Sequence, residues 1–141
     1  MIDVENYVID RVHKRIKEEK IPAKIHSSHV RSPSEFPCVM IYESSNTTYE
    51  ATRFGDGIER HAELRYTVEV CTNDKQGKKE KAKRISAIVD DVMQEMGFYR
   101  AARQYTFGTN ESAIFVALST YRGLVGENPS GDKNELTVYR R

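Results

Sequence analysis

The sequence has only two cysteines, Cys38 and Cys71, and almost no surplus of charge. It also has no apolar run approaching the ~18–20 residues of a membrane span. Residues 1–5 lack the charged-then-apolar pattern of a secretory leader. We therefore expect a soluble chain made in a reducing cytoplasm, where a disulfide is not expected. The sequons at 46–48 and 110–112 then carry no meaning for glycosylation. With 22 basic residues against 21 acidic ones, the chain lacks the basic footprint of a protein that lives by gripping phosphates. Nucleic acid is disfavoured as the main partner, although a local patch is compatible with this balance.

What is present fits one ordinary domain. A chain of 141 residues buries roughly 68–70% of its unfolded surface, enough for one real core. Apolar residues make up 38% and charged residues 30%, polar for a globular protein. Valine, isoleucine and tyrosine are nonetheless spread along its length, which excludes a disordered chain.

The first segment reads as a helix, with Asp3 as N-cap and Ile2 and Tyr7 placed for a hydrophobic staple. Val4, Val8, Val12 and Ile16, with Ile9 beside them, form its apolar stripe. Pro22 ends it. Residues 26–37 read as a loop, and 38–42 as a short apolar strand. The polar stretch 44–57 is long for a hairpin turn, and connections of that length are usually functional. Residues 62–71 alternate as a strand with one face on a core. Ala82, Ile85, Val89, Val92, Met93 and Met96 repeat at steps of three and four, marking a second helix. Gly97 suits its left-handed end, with Phe98 folding back. Strands over about 99–106 and 113–121 follow, the latter apolar enough for a central position. Residues 126–134 are turn-rich, and 135–141 form a short extended end. The expectation is α+β: a mostly antiparallel sheet of four to five strands with two main helices packed on it. One domain spans 1–126, and 127–141 is an extended C-terminal segment.

The search for chemistry finds no constellation. His26, His29, Cys38 and Cys71 are residue types that suit zinc but lack its paired spacing. Asp91 and Glu95 share a helix face with no partnering histidine, and Asp90, Asp91 and Glu95 read as the solvated face of the second helix. Residues 55–57 lack the rest of a phosphate loop. We expect no enzyme, metal or cofactor. The basic run 78–84 reads as a solvated face, but it places cations at a helix N-terminus, where the dipole disfavours them. That misfit hints at something negative nearby, such as a neighbouring subunit. Tyr49, Tyr99, Tyr105, Tyr121 and Tyr139 fall near strand ends or loops, and tyrosine and arginine are enriched at interfaces.

Several segments resemble bacteriophage tail terminators and related tail-completion proteins. Phe36-Pro37-Cys38-Val39-Met40-Ile41-Tyr42-Glu43 is similar to their first strand. Residues 65–73, running through Gly77-Lys78-Lys79 into the helix, are also similar, as is the helix ending Met96-Gly97-Phe98-Tyr99-Arg100. So are Tyr121-Arg122-Gly123-Leu124-Val125 and the closing Val138-Tyr139-Arg140-Arg141. The resemblance covers roughly residues 36–126 plus the C-terminus. It implies a structural virion protein at the neck of the tail. It also implies a homohexameric ring that caps the head-proximal end of the tail tube and halts tube polymerisation. Its expected partners are copies of itself, the tail tube protein, a head-completion or neck protein and, in contractile tails, the sheath protein. A ring needs two different patches per subunit. The expected interface residues are Tyr49 and Phe54 on loop 44–58, which would contact the tube or line the ring. In the tail they are Leu136, Val138, Tyr139, Arg140 and Arg141, with the first three adding to a sheet edge of their own or an adjacent subunit. The rival readings are a head-completion or head–tail joining protein, a nucleic-acid module using the Lys78–Arg84 face, and a small enzyme or metal protein centred on the histidines and cysteines.

Overall fold

Val8, Val12 and Ile16 recur every four residues and are all buried, which draws residues Glu5–Glu18 into an amphipathic helix, α1. In this computed structural model, which describes residues 1–53, 55–107, 114–127 and 136–139, the helical ladder opens with the Val8 N–H donating to the Val4 carbonyl. Val4 is therefore the N-cap, one residue later than expected. Asp3 still serves the helix start, its carboxylate accepting from the Glu5 N–H at 3.2 Å.

The strands are β1 (Lys24–His26), β2 (Cys38–Thr48), β3 (His61–Thr72), β4 (Tyr99–Phe107), β5 (Phe115–Glu127) and β6 (Leu136–Tyr139). The second helix, α2, is Lys78–Glu95. The sheet order is β1-β2-β3-β5-β4, and β6 also pairs with β5. Only β1 and β2 are parallel; every other pairing is antiparallel. The fold is α+β, as the sequence suggests.

Three boundaries differ from the sequence reading. His26 is in β1 rather than in a loop: Lys24–His26 lies beside Cys38–Met40, with the Lys24 N–H donating to the Pro37 carbonyl at 2.9 Å. A three-residue strand has too little sequence to show a period. β2 runs on to Thr48, since Asn46, Thr47 and Thr48 pair with Leu64, Glu63 and Ala62 past an irregularity at Glu43/Ser45. The connection is therefore shorter than the expected 44–58. β5 extends through Glu127, so Gly126 and Glu127 are strand rather than connector.

Both helices pack on one face of the sheet. Val39 and Ile41 of β2, the even-numbered residues 62–70 of β3, and Phe115, Ala117, Tyr121 and Val125 of β5 meet the helix stripes in one core. Gly97 adopts φ 100° and Phe98 turns back under α2, its N–H donating to the Met93 carbonyl at 3.0 Å. The opposite face carries a smaller apolar cluster, Cys38, Met40 and Cys71, with Val30 and Phe36 of the 27–37 loop packed on it.

Candidate interface

The two edges of the sheet are finished differently. On the β1/β2 side, β1 covers Cys38–Met40. Beyond it, the outward-pointing N–H of Glu43 donates to the Glu5 carboxylate of α1 at 2.8 Å. Asn46 Nδ2 donates to the Ile2 carbonyl, also at 2.8 Å. The Glu5 side chain thus occupies one backbone group that would otherwise template another strand, and the Asn46 side chain ties the N-terminal backbone alongside.

The β4 side has no such cover. Among the described residues, no strand pairs with the outer side of β4. Tyr99 and Tyr105 on it are 44% and 43% exposed. β5 holds two strands end to end along that side, because β4 pairs with residues 115–122 and β6 with residues 124–127. β6 runs toward the start of β4, so the two make one composite edge. The only break in β4 pairing is at Ala101, between Arg100 and Ala102.

A buried polar cluster anchors β4 to α2. Asp90, 7% exposed, accepts from the Tyr121 hydroxyl at 2.8 Å, from Arg100 at 3.1 Å and from Gln94 at 2.6 Å. Arg103 lies 3.7 Å from the same carboxylate, and also donates to Ser119 Oγ at 3.0 Å and toward the Ser86 carbonyl. Burial, followed by the hydrogen bond to Asp90, pushes the Tyr121 phenol well above the ordinary tyrosine range, so it stays a neutral donor. Asp90 therefore corrects the sequence reading, since it is not part of a solvated face. Asp91 and Glu95 are exposed, and Glu95 pairs with Arg15 of α1 at 2.7 Å. Alongside the cluster, Lys83 Nζ sits 5.3 Å from the Tyr105 ring centroid, and Tyr105 stacks on Phe115.

The expected interface residues fall in different places. Tyr49 is half-buried where the β2–β3 connection begins, its N–H donating to the His61 carbonyl. The connection continues through a short 3-10 turn, Glu50–Thr52. Two local ion pairs shape it, Glu50–Arg53 and Asp56–Arg60. Ile58, 56% exposed, is an apolar residue there that the sequence reading did not single out. Phe54, Arg140 and Arg141 lie outside the described residues. The backbone of Leu136, Val138 and Tyr139 adds to β5 of the same chain. The C-terminal segment therefore shares the sheet of the domain.

Asp56 provides a pH reporter for the connection. Hydrogen bonds from Arg60 and from the Ile58 N–H hold its carboxyl at about 2, below the ordinary 3.8. A depressed carboxylate contributes its contact above the unfolded value and loses it as pH falls through the folded one. The Asp56 carboxyl resonance should accordingly titrate near pH 2, while exposed carboxylates titrate near 4. A midpoint near 4 would mean that the Arg60 contact is absent in solution.

The metal candidates do not converge. His26 is in β1, whereas His29 Nδ1 lies 2.8 Å from Glu69 Oε2, which also accepts from the Tyr42 hydroxyl. Cys38 and Cys71 face each other across β2 and β3 as free thiols. Burial raises the Cys71 thiol to about 12, keeping it protonated. Among the described residues, no group of three or more histidine, cysteine or acidic side chains could hold a metal ion. No described helix is long and apolar enough to cross a membrane.

No family model matches the chain, and no curated protein matches it either.

Proposed function

We propose that this chain is a structural subunit of the phage tail terminator type, a non-catalytic protein that assembles into a ring at the head-proximal end of a tail tube. The observation that carries the reading is the contrast between the sheet edges. A ring is built from heterologous contacts, so each subunit must present two unlike surfaces. The β1/β2 edge is short, ending in the three-residue β1 with the N-terminal segment held beside β2 by Glu5 and Asn46, whereas among the described residues nothing pairs with the longer β4 edge, which carries two half-exposed tyrosines. The resemblance of the β2, β3 and α2 segments to tail terminators supports the same reading. In it, the 49–60 connection faces the tube, and the ring surface away from the tube receives the head-completion protein. The site of action is the virion neck.

The test is sedimentation of the purified chain with polymerised tail tube protein. The chain is expected to pellet with tubes at a small, end-limited stoichiometry. A chain that ignores tubes and binds the portal complex would move the assignment to the head-side neck proteins.

A further inference from the structure

The sheet face opposite the helices holds a pair of groups that the proposed assembly leaves unused. Cys38 of β2 and Cys71 of β3 stand directly opposite each other. Both are free thiols, at 0% and 4% exposure. The Lys24 N–H donates to the Pro37 carbonyl, and the Glu43 N–H points outward to Glu5. Odd-numbered residues in the first half of β2 therefore turn their backbone groups away from β3, and Cys38 turns its own toward Cys71. A hydrogen-bonded antiparallel pair of this kind sets its Cα atoms about 5.5 Å apart. That spacing lies inside the roughly 4.4–6.8 Å of a disulfide. The two side chains share one face and one cluster with Met40.

The 27–37 loop closes over the pair. Val30 and Phe36 pack on the cluster, and the Val30 N–H donates to Met40 Sδ at 3.4 Å. His29 Nδ1 lies 2.8 Å from the carboxylate of Glu69, two residues before Cys71. The His29 side chain is 56% exposed, so this contact can break at little cost. The cluster is also separate from the main core, so the loop can lift without unpacking the helices. Burial raises both thiols, and the Glu69 carboxylate adds to the effect. Little thiolate is present while the loop is down, and the thiolate is the species that attacks an oxidant.

From this arrangement we infer that Cys38 and Cys71 form an oxidative modification site, a cross-strand dithiol that a low-molecular-weight disulfide converts to an intramolecular disulfide, with the 27–37 loop as its lid. With the lid raised, the less buried Cys71 thiolate attacks one sulfur of the oxidant. A mixed disulfide forms and one small thiol leaves. The Cys38 thiolate then attacks the Cys71 sulfur and expels the second small thiol. The two cysteines lose two protons and two electrons, and the oxidant is reduced to two thiols. The new bond closes the chain over residues 38–71, which include the 49–60 connection. The chemistry is independent of the assembly reading. In that reading the pair would be reduced during synthesis and would meet oxidant once the particle leaves the cell.

The experiment incubates the reduced full-length chain with millimolar glutathione disulfide and follows intact mass. Over hours the wild type should lose the mass of two hydrogens, retain no glutathione and remain a single chain. Peptide mapping should join the segments holding Cys38 and Cys71. The oxidised chain should melt about 5–10 °C higher, and dithiothreitol should reverse the shift. Cys38→Ser should show no such rise. His29→Ala, which frees the lid, should oxidise about threefold faster or more. Thiols that stay reduced in both the wild type and His29→Ala would overturn the inference. So would disulfides formed only between chains, or an oxidised chain that melts lower than the reduced one. An oxidation rate unchanged by His29→Ala would overturn the role of the lid.

Discussion

Replacing Asp90 with alanine is expected to lower the free energy of unfolding by about 3 kcal/mol. Its carboxylate is the common acceptor for Tyr121, Arg100 and Gln94. The three partners do not lose equally. Arg100 is 41% exposed at its side chain and can turn to water at little cost. The Tyr121 side chain is fully buried, so its hydroxyl is left unpaired, and Arg103, 17% exposed, keeps Ser119 and the Ser86 carbonyl but loses its counter-charge. Most of the loss therefore falls on the orphaned Tyr121 hydroxyl, with a smaller share on Arg103, whose charge is left without its carboxylate. Urea unfolding should show a lower midpoint with an unchanged slope. Adding Tyr121→Phe to the Asp90→Ala background should recover part of the loss, since it removes the orphaned hydroxyl. A loss below about 1 kcal/mol would mean the network is solvated and does not tie α2 to β4 and β5.

Phe98→Ala is expected to cost about 3–5 kcal/mol, the range for truncating a fully buried aromatic residue. Phe98 is 1% exposed and meets the Tyr66 ring edge-on, with centroids 5.4 Å apart and planes at 72°. It packs beneath the end of α2, directly after the left-handed Gly97. Truncation would leave a cavity against Tyr66, whose hydroxyl already lacks a hydrogen-bond partner among the described residues. Thermal unfolding should drop by many degrees while far-UV circular dichroism below the transition stays native. Retention of wild-type stability would contradict the packing of that helix end. Both substitutions act on the support of β4, so the open edge should become less regular in each.

The parts of the fold legible in the sequence are those with a period long enough to read. Val8, Val12 and Ile16 announce α1, and Ala82 through Met96 announce α2. The alternation of residues 62–71 announces the central β3. Gly97 with Phe98 marks the helix stop. What stayed hidden has local reasons. Three residues cannot establish an alternation, so β1 is invisible. Asn46, Thr47 and Thr48 are poor strand advertisements, and they pair because β3 continues beside them. Asp90 reads as surface because its donors come from β4 and β5. The available signal was that Asp90 follows Val89 and Ser86 on the inward side of the stripe. The interface was partly legible: Tyr99 and Tyr105 stand out as tyrosines at strand ends, but only the sheet order makes β4 an outer strand.

In the proposed assembly this chain ends tube growth. The most direct measurement is the length distribution, in electron micrographs, of tubes polymerised from tail tube protein with and without the chain. Added before polymerisation, the chain should shorten the tubes and leave a ring-shaped density at one end only. Tubes of unchanged length with bare ends would contradict the account.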